Sequence, residues 1–325
     1  MKINLSSFLQ WRFNIYLYNK LGWRICFYYI ILLASLYFFF KRNEKGKIRK
    51  SIETVFRTRK NRTEIRSITR NVFRGIIFHY YEKLFNAYSS VETLKTFFKT
   101  HIKSQTLGII EKALSKEKGV LLITGHLGGV EFLPTYLGSN HYPVSIVVRF
   151  KSSHLRSMSF QKAPEYSARI IDVDNTSNVM KTICESLKEN RIVIIQCDEI
   201  EEWRPSRHHK VSFLGKTTFM DRTMNVLAKR GSAPVVFGMM HRNHNHHYEF
   251  IATLNEDIER HLPYAAAMSV GELALKFFEQ YIYTYPEEWY EWKKYPEILN
   301  VPSSAEEVEV PSSTVMLTPA LSEIS

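Results

Sequence analysis

Cysteine is scarce: Cys26, Cys184 and Cys197 are the only three in 325 residues, and no two stand in a CxxC spacing. That excludes a disulfide framework and a cysteine-rich zinc site, and leaves reduced thiols that pack as small apolar groups. Glycine (13) and proline (11) are too few for a fibrous or broadly disordered chain. No GxSxG elbow and no HExxH helix occurs, which removes the common serine-hydrolase and zinc-protease signatures. Phe213-Leu214-Gly215-Lys216-Thr217 ends like a phosphate-binding loop, but Lys210 stands where its first glycine belongs, so a nucleoside triphosphate site is excluded. No internal repeat is present. Acidic residues are also short, 32 against 44 Lys and Arg, for a formal net charge of +12. Such an excess suits nucleic acid, an anionic membrane or phosphorylated substrates, and only its position along the chain selects among them.

That position is N-terminal. Ile25–Phe40 (ICFYYIILLASLYFFF) carries no charge and is bracketed by Arg24 and Lys41. As a helix it reaches roughly 24 Å, short of a ~30 Å hydrocarbon core, so Trp23 and a snorkelling Arg24 must extend it or it dips into one leaflet. No small-residue cleavage site follows, against a cleaved signal peptide. Residues 41–62 then bring ten Lys/Arg against two Glu. The positive-inside rule puts the following body on the cytoplasmic side, with the basic run against anionic headgroups rather than nucleic acid. Residues 1–22, rich in Trp, Phe, Tyr and Leu, suit the membrane interface, and 23–41 form the expected anchor.

Past the anchor, Ile65, Ile68, Val72 and Ile76 recur at helical spacing within 64–88, predicting a helix with one apolar face. Apolar runs predict strands at 120–124, 144–148, 169–173, 192–196, 234–240 and 247–253. Helices are expected near 129–137, 153–161, 179–188, 218–230 and 265–283. The alternation predicts an α/β domain over 42–300, with a mixed or largely parallel central sheet flanked by helices on both faces. Residues 301–325 hold no Lys or Arg, three prolines and many Ser, Thr and Glu, the composition of a disordered tail.

One segment carries chemistry. In ITGHLGGVEF a buried strand ends at Gly125, and His126 follows at the C-terminal edge, where α/β sheets place their sites. Five residues on an ideal helix turn about 500°, so His126 and Glu131 meet only if His126 lies in the glycine turn and Glu131 on the helix. A carboxylate on one imidazole nitrogen leaves the other as a general base for an acceptor hydroxyl. Backbone N–H groups of the turn and helix start are the expected oxyanion donors. Arg149, at the strand end in SIVVRF, and Asp198, which follows a buried strand in QCDEIEEW, are placed near His126 by their strand ends. Arg204 and Arg207, with His208, His209 and Lys210, are expected on a loop converging on phosphate or sugar groups. His241, His244, His246 and His247 are read as a polar hairpin loop rather than a metal cluster.

These landmarks, in this order, resemble the bacterial lipid A late acyltransferases, the lauroyl and myristoyl transferases. The resemblance rests on the hydrophobic N-terminus with its basic helix, GHLGGVE as a form of HxxxxE, VVRF, the FLGK and LAKRGSAPVV runs, and PEEWYEWKKYP. Together they cover about residues 20–297. The resemblance implies a glycerolipid-acyltransferase-like α/β fold on the cytoplasmic face of the bacterial inner membrane. It implies acyl transfer from acyl carrier protein or acyl-CoA to a hydroxyl of a lipid A precursor or related glycolipid. His126 takes the role of base and Glu131 that of its orienter, with Arg149 and Asp198 beside them and neither metal nor cofactor. Gly129, Val130, Glu199 and Lys293-Lys294 depart from the usual residues and leave the acceptor open, a mannosylated phospholipid or other amphiphile included. Two other readings stand beside transfer: a lipid hydrolase using the same base on water, and an inactive membrane-anchored lipid-binding relative.

Overall fold

The chain is seen in a computed structural model, which describes residues 8–150, 152–243, 246–261, 265 and 267–301. His244 and the 301–325 tail expectation beyond Val301 lie outside these residues.

Four helices lead. α1 (Arg12–Phe40) is broken at Gly22, whose φ of 67° and ψ of 154° interrupt the helical geometry. α2 (Arg42–Phe56) follows after a bend of 93°. α3 (Arg62–Tyr88) begins with a capping box, Asn61 accepting from the backbone of Thr63 and Glu64 while Glu64 accepts from Asn61. α4 (Val91–His101) is capped by Ser90. Among the described residues no single helix is long and apolar enough to cross a membrane; Ile25–Phe40 and Arg42–Phe56 pass that test only together, as a bent pair. The apolar run of α1 has two fates. Ile30, Leu33, Ala34, Tyr37 and Phe38 are buried, with Phe38 packing edge-on against Phe73 of α3 at 5.2 Å. Ile25, Tyr28, Leu32, Leu36 and Phe39 are exposed.

The rest of the chain winds around a seven-stranded sheet. β1 (Ile102–Lys103) leads through α5 (Leu107–Leu114) to β2 (Val120–Thr124) and α6 (Leu133–Ser139). β3 (Val144–Val148), α7 (Ser153–Lys162), β4 (Arg169–Asp172), α8 (Val179–Lys188) and β5 (Ile192–Gln196) follow. Next come the hairpin β6 (Pro205–Phe213) and β7 (Lys216–Asp221), then α9 (Thr223–Gly231). β8 (Val235–Arg242), β9 (Tyr248–Leu254), α10 (Asn255–His261) and α11 (Val270–Thr284) complete the elements. Strand order is β1-β9-β8-β2-β5-β3-β4, parallel except for the antiparallel β8–β9 pair. A mixed sheet with flanking helices is therefore what the alternation foretold.

The central strands VLLIT and IVIIQ are apolar on both faces because both faces are covered, as parallel sheets require. Their register pairs Val120 with Ile192 and Thr124 with Gln196. This fixes the site: residues leaving β2 and β5 emerge side by side, and the Cys197 N–H still donates to the Thr124 carbonyl at 2.9 Å.

Two expectations fail locally. The region 218–230 is not one helix, because Lys216–Asp221 pairs with Pro205–Phe213 as a hairpin and helix begins only at Thr223. Hence Arg207, expected on a loop with Arg204, lies on β6, its side chain outside the described residues. The phosphate-loop look-alike is the hairpin's turn, with φ of 49° at Leu214 and 77° at Gly215. His241 is likewise on β8 rather than in a loop. It is 3% exposed, with Nδ1 2.7 Å from Glu288.

Candidate active site

The strand register brings His126 against Asp198. Gly125 ends β2, and the His126 backbone N–H donates to both oxygens of Asp198, at 3.1 and 2.9 Å. His126 Nδ1 lies 2.9 Å from Asp198 Oδ1. Trp289 Nε1 donates to Asp198 Oδ2 at 2.9 Å, so three donors hold a carboxylate that is 3% exposed. On the other ring face, Nε2 lies 3.2 Å from Glu199 Oε1, and Glu199 Oε2 lies 3.2 Å from Lys294 Nζ. A neutral imidazole has one N–H and one lone pair; with a carboxylate on each nitrogen, both must donate. Resting His126 is therefore an imidazolium. Burial alone would lower its pKa, but Asp198 and then Glu199 outweigh burial and raise it to about 10. Burial acts to raise the pKa of Glu199, yet His126 and Lys294 hold it below the usual carboxylate range.

Glu131 sits where the turn geometry asks, on a short 3₁₀ helix (Val130–Phe132) after the glycine turn. Its partner differs from the one expected. Among the described residues no hydrogen bond or ion pair joins it to His126. Its Oε1 lies 3.3 Å from Lys83 Nζ and 3.7 Å from His79 Nε2, and Asn86 Nδ2 donates to its backbone carbonyl at 2.8 Å. The Tyr290 ring stacks on His79 at 3.5 Å and meets His126 edge-on at 5.3 Å. Glu131 and His126 face one cavity without touching.

The glycine turn is not an oxyanion site, contrary to expectation, because its N–H groups are already used. Leu127 donates to Gly125, Gly128 to Glu288, Gly129 to Met240 and Val130 to Leu127, at 2.7 to 3.2 Å. The turn is clamped by a buried polar network instead. Arg242 Nε and Nη2 donate to the two oxygens of Glu82 at 2.6 and 2.9 Å, and Nη2 also donates to the Gly128 carbonyl at 3.0 Å. Burial pushes the Glu82 carboxyl up despite this pairing. Gly128 has a φ of 53°, and a Cβ there would lie 2.1 Å from the Met240 carbonyl oxygen. Gly128→Ala is therefore expected to cost ~3 kcal/mol or more in a denaturant titration. Gly108→Ala on α5, where nothing lies within 4 Å, is expected to be neutral or stabilising.

The sequence model of the bacterial lipid A biosynthesis acyltransferases matches residues 14–294. The chain belongs to this family. No curated protein sequence matches it. The acyltransferase thus acts on an acyl donor and a lipid acceptor. The cavity has a volume of about 630 Å³. Its lining includes the polar His126, Glu131, Arg149, Glu199 and Arg204 and the apolar Leu155, Met158, Met180, Ile183 and Leu227. Arg149 is paired with Asp174 at 2.8 Å and with Glu202, while Arg204 is exposed.

His79 and Lys83 escaped notice in the sequence, and Trp289 and Tyr290 were seen in PEEWYEWKKYP but not assigned to the site. A signal existed for the first two: His79 and Lys83 continue the face set by Ile65, Ile68, Val72 and Ile76 at helical spacing. A polar residue entering an apolar stripe marks the point where α3 reaches the cavity.

Proposed function

We propose that this acyltransferase moves a fatty acyl chain from an acyl carrier protein or acyl-CoA thioester to a hydroxyl of a lipid A precursor or related glycolipid. The observation that carries the reading is a single cavity lined both by His126 and by apolar side chains that suit an acyl chain. His126 is the base. Asp198, on Nδ1, fixes the tautomer in the role first assigned to Glu131, and Glu131 with Lys83 forms part of the acceptor wall.

The step requires Nε2 to be free. When the acceptor hydroxyl displaces Glu199, the imidazolium releases its Nε2 proton to solvent. The hydroxyl oxygen then attacks the thioester carbonyl while its proton passes to Nε2. The C–S bond breaks, and the departing thiolate takes that proton, which returns the imidazole to its neutral form. Asp198 stabilises the transient positive charge without accepting the proton.

Membrane association belongs to the same proposal, on the cytoplasmic face of the bacterial inner membrane. The exposed stripe Ile25, Tyr28, Leu32, Leu36 and Phe39 supports it, next to the cations of α2. With its opposite face packed on the protein, α1 suits an in-plane position in one leaflet better than a crossing.

The test is incubation of the purified chain with a labelled acyl thioester and glycolipid. Label in the glycolipid is the expected outcome. Label in free fatty acid alone would mean that water, not a lipid hydroxyl, reaches Nε2, and label in neither would leave only lipid binding.

A further inference from the structure

The elbow between α1 and α2 holds a second hollow, separate from the catalytic residues, of about 310 Å³. Its lining is Phe38, Phe39, Arg42, Lys45, Gly46 and Arg49, with no carboxylate among them. Arg42, Lys45, Gly46 and Arg49 fall within about 100° on one face of α2 by helical geometry. Glu44, on the same turn, points elsewhere: it accepts from Tyr37 Oη at 2.8 Å and lines the catalytic cavity. Among the described residues none of the three cations forms an ion pair. Two of them rest on rings, Arg42 over Phe39 at 5.6 Å and Lys45 over Phe73 at 5.7 Å. Gly46 leaves the floor open, with nothing within 4 Å of where a Cβ would stand.

The sorting of charge on α2 is informative. Three exposed, unneutralised cations that converge on a concave surface repel one another, and an anion relieves that repulsion. The exposed apolar stripe of α1 runs directly into the hollow, ending at Phe39 and Phe40. A ligand that fits both surfaces carries a phosphate at one end and hydrocarbon at the other. We propose that this hollow is a headgroup site for an anionic membrane phospholipid. Arg42, Lys45 and Arg49 take the phosphate oxygens, and the Ile25–Phe40 stripe lies along the acyl chains. The inference rests on the membrane-associated reading above and adds to it a defined lipid contact. A soluble phosphate ester offers the same oxygens but gives the stripe nothing to bury.

The experiment uses the full chain with vesicles of phosphatidylcholine alone or with added phosphatidylglycerol, read by co-sedimentation. One variant is Arg42→Gln/Lys45→Gln/Arg49→Gln. Its control, Lys47→Gln/Arg57→Gln/Arg66→Gln, removes the same charge from exposed positions outside the hollow. A diffuse surface attraction weakens both variants alike, since each cation near an anionic surface counts for about fivefold. A site in the hollow makes the first variant lose about tenfold more affinity for the phosphatidylglycerol vesicles than the control does. Equal losses would overturn the proposal. Inorganic phosphate is the second probe: calorimetric binding that the hollow variant loses, without any difference between the variants on vesicles, would assign the hollow to a soluble anion and also overturn it. Acyl transfer in detergent micelles is read in parallel and should be unchanged in the hollow variant. A failure of the acyl-transfer reading would therefore show there, separately from the vesicle result.

Discussion

Replacing His126 by alanine is expected to lower acyl transfer at least about 10³-fold while the chain still folds. General-base catalysis typically contributes 10² to 10⁴, and among the described residues no second group is placed to substitute. In the variant Glu199 keeps Lys294, whose charge still acts to lower its pKa, and a carboxylate is too weak a base for an alcohol. Glu131 is paired with Lys83 and forms no hydrogen bond or ion pair with His126 among the described residues. At about 1.4 kcal/mol per decade, the loss corresponds to ~4 kcal/mol of transition-state stabilisation. The fold should survive because Asp198 keeps two of its donors, the backbone N–H of residue 126 and Trp289 Nε1. A steady-state assay with a far-ultraviolet spectrum checks both halves. Asp198→Asn should fall short of that loss yet still cost ~10² or more, because an amide no longer fixes the tautomer with Nε2 as the base. If Asp198→Asn were harmless and Glu131→Gln abolished transfer, the orienting role would return to Glu131.

Glu199→Gln should move the acidic limb of the kcat/KM profile to lower pH by at least about one unit. In the free enzyme His126 is raised to about 10 by Asp198 and Glu199 acting against burial. The reactive form is the neutral imidazole, so kcat/KM climbs with pH through the neutral range and levels only as pH passes that pKa. Removing the Glu199 charge takes away one of the anions that stabilise the imidazolium, which lowers the pKa. One unit equals ~1.4 kcal/mol of differential interaction and about ten times more neutral imidazole near neutrality. The variant should therefore be faster than the parent at neutral pH and similar at high pH. An unshifted limb would mean that Glu199 does not cap Nε2 in the resting enzyme.

Fold and site differed in how far local sequence revealed them. β2, β3 and β5 coincide with the runs 120–124, 144–148 and 192–196. Strands buried on both faces must be continuously apolar, and that pattern is visible in one dimension. The β6–β7 hairpin was hidden for the opposite reason: PSRHHKVSF is polar and charged, lies outside the main sheet and looks like a loop. His126 was legible because it ends an apolar strand before two glycines. Its true neighbour was not, because Asp198 lies 72 residues away and arrives through the parallel register of β2 and β5. The carboxylate nearer in sequence, Glu131, was chosen by spacing, while the C-terminal segment brings Trp289 to hold Asp198 and Tyr290 to meet the His126 ring.

The most direct test is mass spectrometry of the glycolipids from a strain lacking this chain, complemented with either the parent or the His126→Ala variant. The account predicts a glycolipid one ester-linked acyl chain lighter in the deletion strain, restored by the parent and not by the variant. Restoration by His126→Ala, or a glycolipid profile that does not change on deletion, would contradict it.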